Sequence, residues 1–243
     1  MTRNSVLVIG SSNTDMVIKM ERIPKPGETI LGGEFVTAQG GKGANQAVAA
    51  ARAGGDVTFI ARLGQDMLGN QAFASLRAAG INLKYVLRDP ASPSGVALIF
   101  VSKTGENSIA VASGANSKLA PADIRGARRA FQKATVLLLQ LETPLRTVET
   151  AASIATAAGL RIILNPAPAR PLPEKLLRRL YLVTPNESEA ELLSGVAIKD
   201  KGSAAKAARV LRGRGVRNVI ITMGNRGAFV AGGNDDAAGR PQG

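Results

Sequence analysis

The chain has 243 residues, 45% of them hydrophobic, enough to bury a sizeable core in one large α/β domain or two smaller ones. It contains no cysteine and no histidine, which excludes disulfides, thiolate metal sites, thiol nucleophiles and histidine bases, and leaves acid–base chemistry to Asp, Glu or Lys. The formal charge of +13 would suit a nucleic-acid partner, but aromatics make up only 3% of the chain, and the densest basic group, Arg125, Arg128 and Arg129, reads as a solvated helix face.

In chain order, Met1 to Ser5 is followed by too few apolar residues before Gly10 for a secretory segment. Val6–Ile9 reads as a first strand, ending in the polar cluster Gly10-Ser11-Ser12-Asn13-Thr14-Asp15. Residues 16–38 then alternate apolar and polar side chains around the turn signal Pro26-Gly27, and 94–116 do so around Thr104-Gly105. Both are expected to supply strands of a small separate sheet that acts as a lid. Between them, Ala44–Ala53 reads as a helix and Val57–Ile60 as a strand. Further apolar, β-branched runs follow at Val136–Leu139, Ile162–Leu164, Leu180–Val183 and Val219–Ile221, with a helix at Ser203–Leu211 and a last strand at Ala228–Ala231. This alternation predicts a mostly parallel sheet covered by helices, in which ligands sit at the carboxyl ends of the strands. The longest apolar runs fall far short of the roughly 20 residues needed to cross a bilayer. No membrane span is therefore expected, and the protein reads as cytoplasmic. Gly232–Gly243 has no periodicity and is expected to be disordered.

The polar clusters after the strands carry the chemistry. Asn13 and Asp15 together offer donors and acceptors suited to vicinal hydroxyls, although an Asx turn or helix cap would use the same residue types. Gly40-Gly41-Lys42-Gly43-Ala44-Asn45 runs straight into a helix, so its glycines allow close approach of a ligand and the helix start supplies free N–H groups. It is not a Walker loop, because Gly43 stands where Ser or Thr should follow the lysine. In Thr184-Pro185-Asn186-Glu187-Ser188-Glu189, Asn186 and Glu189 have the spacing of a capping box and equally that of a ligand pair. Thr222-Met223-Gly224-Asn225-Arg226-Gly227 fits an ordinary turn between strands or a phosphate-cradling loop.

Taken together, the ordered segments GSSNTD, PKPGET, GGKGANQAVAA, SGVALIFV, GEN, LLLQLE, NPAPA, TPNESEAELL and TMGNRGA resemble the ribokinase/PfkB family of carbohydrate kinases over nearly the whole chain. The resemblance implies a three-layer α/β/α domain with a small β-sheet lid. It also implies transfer of the ATP γ-phosphoryl group to the primary hydroxyl of D-ribose with Mg²⁺, small-molecule partners rather than nucleic acid or membrane, and a homodimer formed through the lids. It assigns Asn13, Asp15, Gly41, Lys42, Asn45 and Glu142 to the sugar, Asn186, Thr222, Gly224 and Gly227 to the nucleotide, and Glu189 to Mg²⁺ through water. On this reading all six sugar residues lie in turns after strands or at a helix start.

The family's DTxGAGD-type motif, which holds the transferring phosphoryl group and supplies the catalytic aspartate, is matched by no segment here. Asp235-Asp236-Ala237-Ala238-Gly239-Arg240 echoes it but carries arginine at the critical place. The adenine pocket and the loop for a monovalent cation, K⁺ in the family, are likewise unmatched. The expectation is a C-terminally truncated member that leaves apolar sheet surface uncovered, and whose alternative role is sugar binding without turnover.

Overall fold

The computed structural model describes residues 5–233. Its strands are β1 Ser5–Ile9, β2 Asn13–Met20, β3 Glu34–Gly40, β4 Asp56–Gly64, β5 Asn82–Asp89, β6 Gly95–Ser102, β7 Asn107–Ala112, β8 Val136–Leu139, β9 Arg161–Leu164, β10 Leu182–Val183, β11 Asn218–Thr222 and β12 Ala228–Ala231. The helices are α1 Lys42–Arg52, α2 Met67–Ala78, α3 Pro121–Gly126, α4 Arg128–Phe131, α5 Leu145–Ala157, α6 Glu174–Leu177, α7 Glu187–Ser194 and α8 Lys201–Gly213. An eight-stranded sheet runs in the order β12-β11-β10-β9-β8-β1-β4-β5, parallel except for the β11–β12 pair. A second sheet of four strands has the order β3-β2-β6-β7.

The parallel sheet follows from strands apolar on both faces, as burial under two helical layers requires. Leu7 and Ile9 of β1 join one core with Leu137, Leu139, Ile162, Leu164, Val219 and Ile221, under α3 to α8. Val8, between them, faces the other way into a smaller core with Phe59, Ala61, Ala44 and Ala47, under α1 and α2. The period of two thus divides one strand between two layers. Truncating Leu137 or Ile162 to Ala is expected to cost about 2–5 kcal/mol.

One face of the sheet is less well covered. Leu138, Ile163, Leu182 and Ile220, which share a face by register, are only half-buried, and Val230 on β12 beyond them is 63% exposed.

Three sequence expectations change. Asn13 and Asp15 lie on lid strand β2 itself, not in a turn after β1, because the chain re-enters extended structure directly after Ser12. The strand expected over Leu180–Val183 is only Leu182–Val183, since Leu180 donates its N–H to Leu177 O at 3.0 Å and closes the turn that ends α6. Strand β5 at the sheet edge was not anticipated, because Lys84 and Arg88 interrupt its apolar pattern. The Asp235–Arg240 echo and most of the tail expected to be disordered lie outside the described residues.

Candidate functional site

The site grows from the corner where β1 hands over to the lid. Asn13 and Asp15 are two residues apart on β2, so both side chains face the same side. The start of α1 packs onto this corner. Gly41, the residue before the helix, has φ +87°, and a Cβ there would lie 2.7 Å from Asn13 N and 2.8 Å from Ser12 Cα. Packing and backbone geometry therefore account for Gly41. They do not account for Lys42 and Asn45, the polar side chains that this approach brings to the corner.

A cavity of about 620 Å³ opens there, lined by Asn13, Asp15, Gly41, Lys42, Asn45 and Glu142 together with Glu189. All six residues matched to the sugar thus share one concavity between the strand tips and the lid. The lid contributes Ala97, Ile99, Ile109 and Val111 as an apolar wall. By register Asp15 pairs with Ala97, Ala97 with Val111 and Ile99 with Ile109, so the carboxylate and the apolar wall share one face of the lid sheet.

Glu142 follows β8 and is fixed from two directions. Its Oε2 accepts the Lys42 backbone N–H at 2.9 Å and a short hydrogen bond from Ser11 Oγ. Ser11 Oγ in turn accepts Gly43 N–H at 3.3 Å. Burial pushes the Asp15 carboxyl above its ordinary value of 3.8, the nearby Glu142 charge adds to the rise, and the Lys42 ammonium offsets part of it. Two carboxylates, an ammonium and two amides facing an apolar wall suit a small polyhydroxylated ligand. Polar groups would take its hydroxyls, and the wall would cover its C–H faces.

The other predicted residues form a neighbouring group. Asn186 caps α7: its side chain accepts Glu189 N–H at 2.8 Å, while Glu189 Oε2 accepts Asn186 N–H at 2.9 Å. The capping role is therefore real. Thr222 stands beside Asn186 through an isolated bridge, with Thr222 N–H donating to Pro185 O at 3.0 Å. Gly224 and Gly227 continue from it in an exposed turn, where a Cβ at either would meet no atom within 4 Å. Of this group only Glu189 also lines the cavity. Its second carboxylate oxygen accepts no hydrogen bond among the described residues. No cluster of three His, Cys, Asp or Glu residues that could cage a metal exists among the described residues. One carboxylate oxygen on the cavity wall with no hydrogen-bond partner among the described residues fits a Mg²⁺ ion that keeps its water and is held mainly by phosphates, as this hard cation commonly is.

Sequence reasoning missed several contributors. Ser11 and Asn116 are buried, and hydrogen-bond to Glu142 and to the Ser12–Asn13 corner respectively. Ser11 was visible within the GSSNTD segment, but Asn116 carried no signal of its role, because its partners lie 103 and 104 residues away. Ile99, Ile109 and Val111 read as ordinary strand residues until the lid is placed over the strand tips.

A model of the pfkB family carbohydrate kinases matches residues 3–241. The chain belongs to this family. Its pfkB-family relatives include the ribokinase of Haemophilus influenzae, 45% identical over 229 residues that make up 94% of this chain and 75% of that protein. They also include the deoxyribokinase of Salmonella typhi, 39% identical over 225 residues, 92% of this chain and 74% of that one. Among solved structures, the chain is similar to an Arabidopsis thaliana ribokinase complexed with ribose and ATP, with a TM-score of 0.86 and 31% identity over 94% of this chain and 74% of the other. The pfkB assignment agrees with the mostly parallel sheet, the helical layers and the strand-tip cavity. No helix among the described residues is long and apolar enough to cross a membrane.

Proposed function

We propose that this chain is a ribokinase-type phosphotransferase that holds D-ribose in the cavity between α1 and the lid. The observation that carries the reading is the convergence of Asn13, Asp15, Lys42, Asn45 and Glu142 on one cavity under an apolar lid face. Similarity to ribokinases, one of them complexed with ribose and ATP, supports the same substrate pair here. In the reaction, the bond from the γ-phosphorus to its bridging oxygen breaks, a bond to the sugar's primary hydroxyl oxygen forms, the hydroxyl proton passes to a base, and ADP leaves.

Asp15 and Glu142 accept hydrogen bonds from sugar hydroxyls, Lys42 balances part of their charge, and the lid excludes water from a phosphoryl group that water would otherwise intercept. Thr222, Gly224 and Gly227 are proposed to cradle the phosphates beside Asn186, and Glu189 to hold a water of Mg²⁺, which would neutralise phosphate charge when bound. No described residue is assigned as the base. A second reading, sugar binding without transfer, would use the same cavity.

The chain is similar to relatives named for ribose and for deoxyribose, and these two sugars differ in the 2-hydroxyl. A coupled assay of ADP release with ribose, 2-deoxyribose and fructose tests the proposal. Ribose-dependent turnover supports transfer. Saturable ribose binding with no ADP release selects the second reading, and indifference to all three sugars removes both. We also propose that two copies pair through their lids, where Phe35 is 62% and Leu98 48% exposed on the outer face; light scattering of the purified chain should then give twice the 25.1 kDa chain mass.

A further inference from the structure

Asn116 sits in the short 3-10 turn Gly114–Lys118 that follows lid strand β7, and is 2% exposed. Its side chain spans the corner between β1 and β2. Asn116 Oδ1 accepts Ser12 N–H at 2.9 Å, and Asn116 Nδ2 donates to Ser12 O at 3.1 Å and to Asn13 Oδ1 at 2.8 Å. The two ends of an amide look alike, so their assignment must come from partners whose polarity is fixed. The Ser12 backbone provides them. A reversed Asn116 would set its NH₂ against the Ser12 N–H and its oxygen against the Ser12 carbonyl, losing both bonds inside a buried corner.

With Asn116 fixed in this way, its second amide hydrogen requires an acceptor from Asn13. Asn13 must turn its oxygen toward Asn116. Its Nδ2 has no hydrogen-bond partner among the described residues, although Asn13 is only 5% exposed and lines the cavity. Gly95, which pairs with Asn13 across the lid sheet, leaves room for this contact: a Cβ there would lie 2.2 Å from Asn13 Oδ1 and 2.3 Å from Asn116 Nδ2.

We infer that Asn116 is a positioning residue: by anchoring the oxygen of Asn13 it makes Asn13 a dedicated donor to one sugar hydroxyl, where the neighbouring carboxylates Asp15 and Glu142 can only accept. The inference rests on the ribose reading above and adds to it the polarity of one contact. A sugar hydroxyl held between the Asn13 NH₂ and a carboxylate is used both as acceptor and as donor. An analogue that keeps only one of those capacities is therefore recognised less well.

The test uses the intact chain and two variants. In the unsubstituted protein labelled with ¹⁵N, added ribose should shift the side-chain NH₂ signals of Asn13 and leave those of Asn116 in place. Asn13→Asp keeps an acceptor for Asn116 but turns an oxygen to the cavity. It should bind ribose about tenfold more weakly or worse. It should also penalise a monofluorinated ribose further at one ring position, because fluorine cannot donate to the new acceptor. Asn116→Asp removes the donor that anchors Asn13 and should weaken ribose binding similarly, with nucleotide affinity unchanged. Saturable ribose binding that leaves the Asn13 NH₂ signals unmoved, or an Asn13→Asp chain that binds ribose as tightly as the parent, would overturn the inference while leaving the ribose reading intact. Failure of the parent chain to bind ribose by calorimetry would remove that reading and the inference with it.

Discussion

Lys42 donates its backbone N–H to Glu142 Oε2 at 2.9 Å across 100 residues of sequence, tying the first residue of α1 to the loop after β8. The bond uses a donor that every helix start leaves free, and so fixes a carboxylate without spending a side chain. The Lys42 side chain remains available to the cavity.

Asp15 bears the cost of this arrangement. Burial and the Glu142 charge raise its folded-state pKa above the unfolded value near 3.8. The folded state therefore binds this proton more tightly, and the contribution of Asp15 to stability is fully present below that pH and is lost as pH rises through the elevated folded value. At pH 7 the ionised carboxylate is a net burden. Asp15→Asn should raise the melting temperature at pH 7, with the gain vanishing as pH falls below 3.8, while ribose affinity drops about tenfold or more. Calorimetric melting at several pH values, beside a ribose titration, checks both directions.

Gly40 pairs with Asn13 across the lid, and a Cβ on it would lie 2.2 Å from both oxygens of Asp15. Gly40→Ala should displace that carboxylate. Ribose affinity is expected to fall severalfold, and urea unfolding should show a loss of about 1–3 kcal/mol.

Glu189 has two duties that one substitution separates. Glu189→Gln retains an oxygen for the Asn186 N–H, so helix α7 stays capped and the loss of stability should be smaller than that from removing the cap residue itself. Loss of the charge should nonetheless weaken Mg²⁺-dependent nucleotide binding. Asn186→Ala should instead cost about 1 kcal/mol through the lost cap. Thermal melts with and without Mg²⁺ and ATP distinguish the two, and equal behaviour of both variants would reduce the pair to a cap.

The half-buried sheet face at Leu138, Ile163 and Ile220, continued by exposed Val230, should bind an apolar dye and favour association at high concentration. Val230→Lys should reduce both and leave ribose affinity unchanged, as dye fluorescence and light scattering will show.

The fold was legible where burial made runs purely apolar. Val136–Leu139 reads directly as β8, because a parallel strand covered on both faces has no reason to alternate. β5 was not legible, since at the sheet edge Lys84 is solvated and Arg88 is used to bond Gly64 O and Asn70 Oδ1, so neither follows an apolar pattern. At the site, Asp15, Lys42 and Asn45 stood out because polar residues cluster beside glycines at strand and helix ends. Asn116 did not, because an amide that bonds across 104 residues looks like any other turn residue. The placement of Asn13 and Asp15 on the lid also escaped the sequence, as nothing in Gly10–Asp15 marks where the extended chain resumes.

The most direct test is isothermal calorimetry of D-ribose against the full chain, run beside Asp15→Ala and Lys42→Ala, with circular dichroism confirming that each is folded. The account predicts one site per chain in the parent and at least a tenfold larger Kd, about 1.4 kcal/mol, in each variant. Ribose binding of equal strength in all three proteins would contradict it.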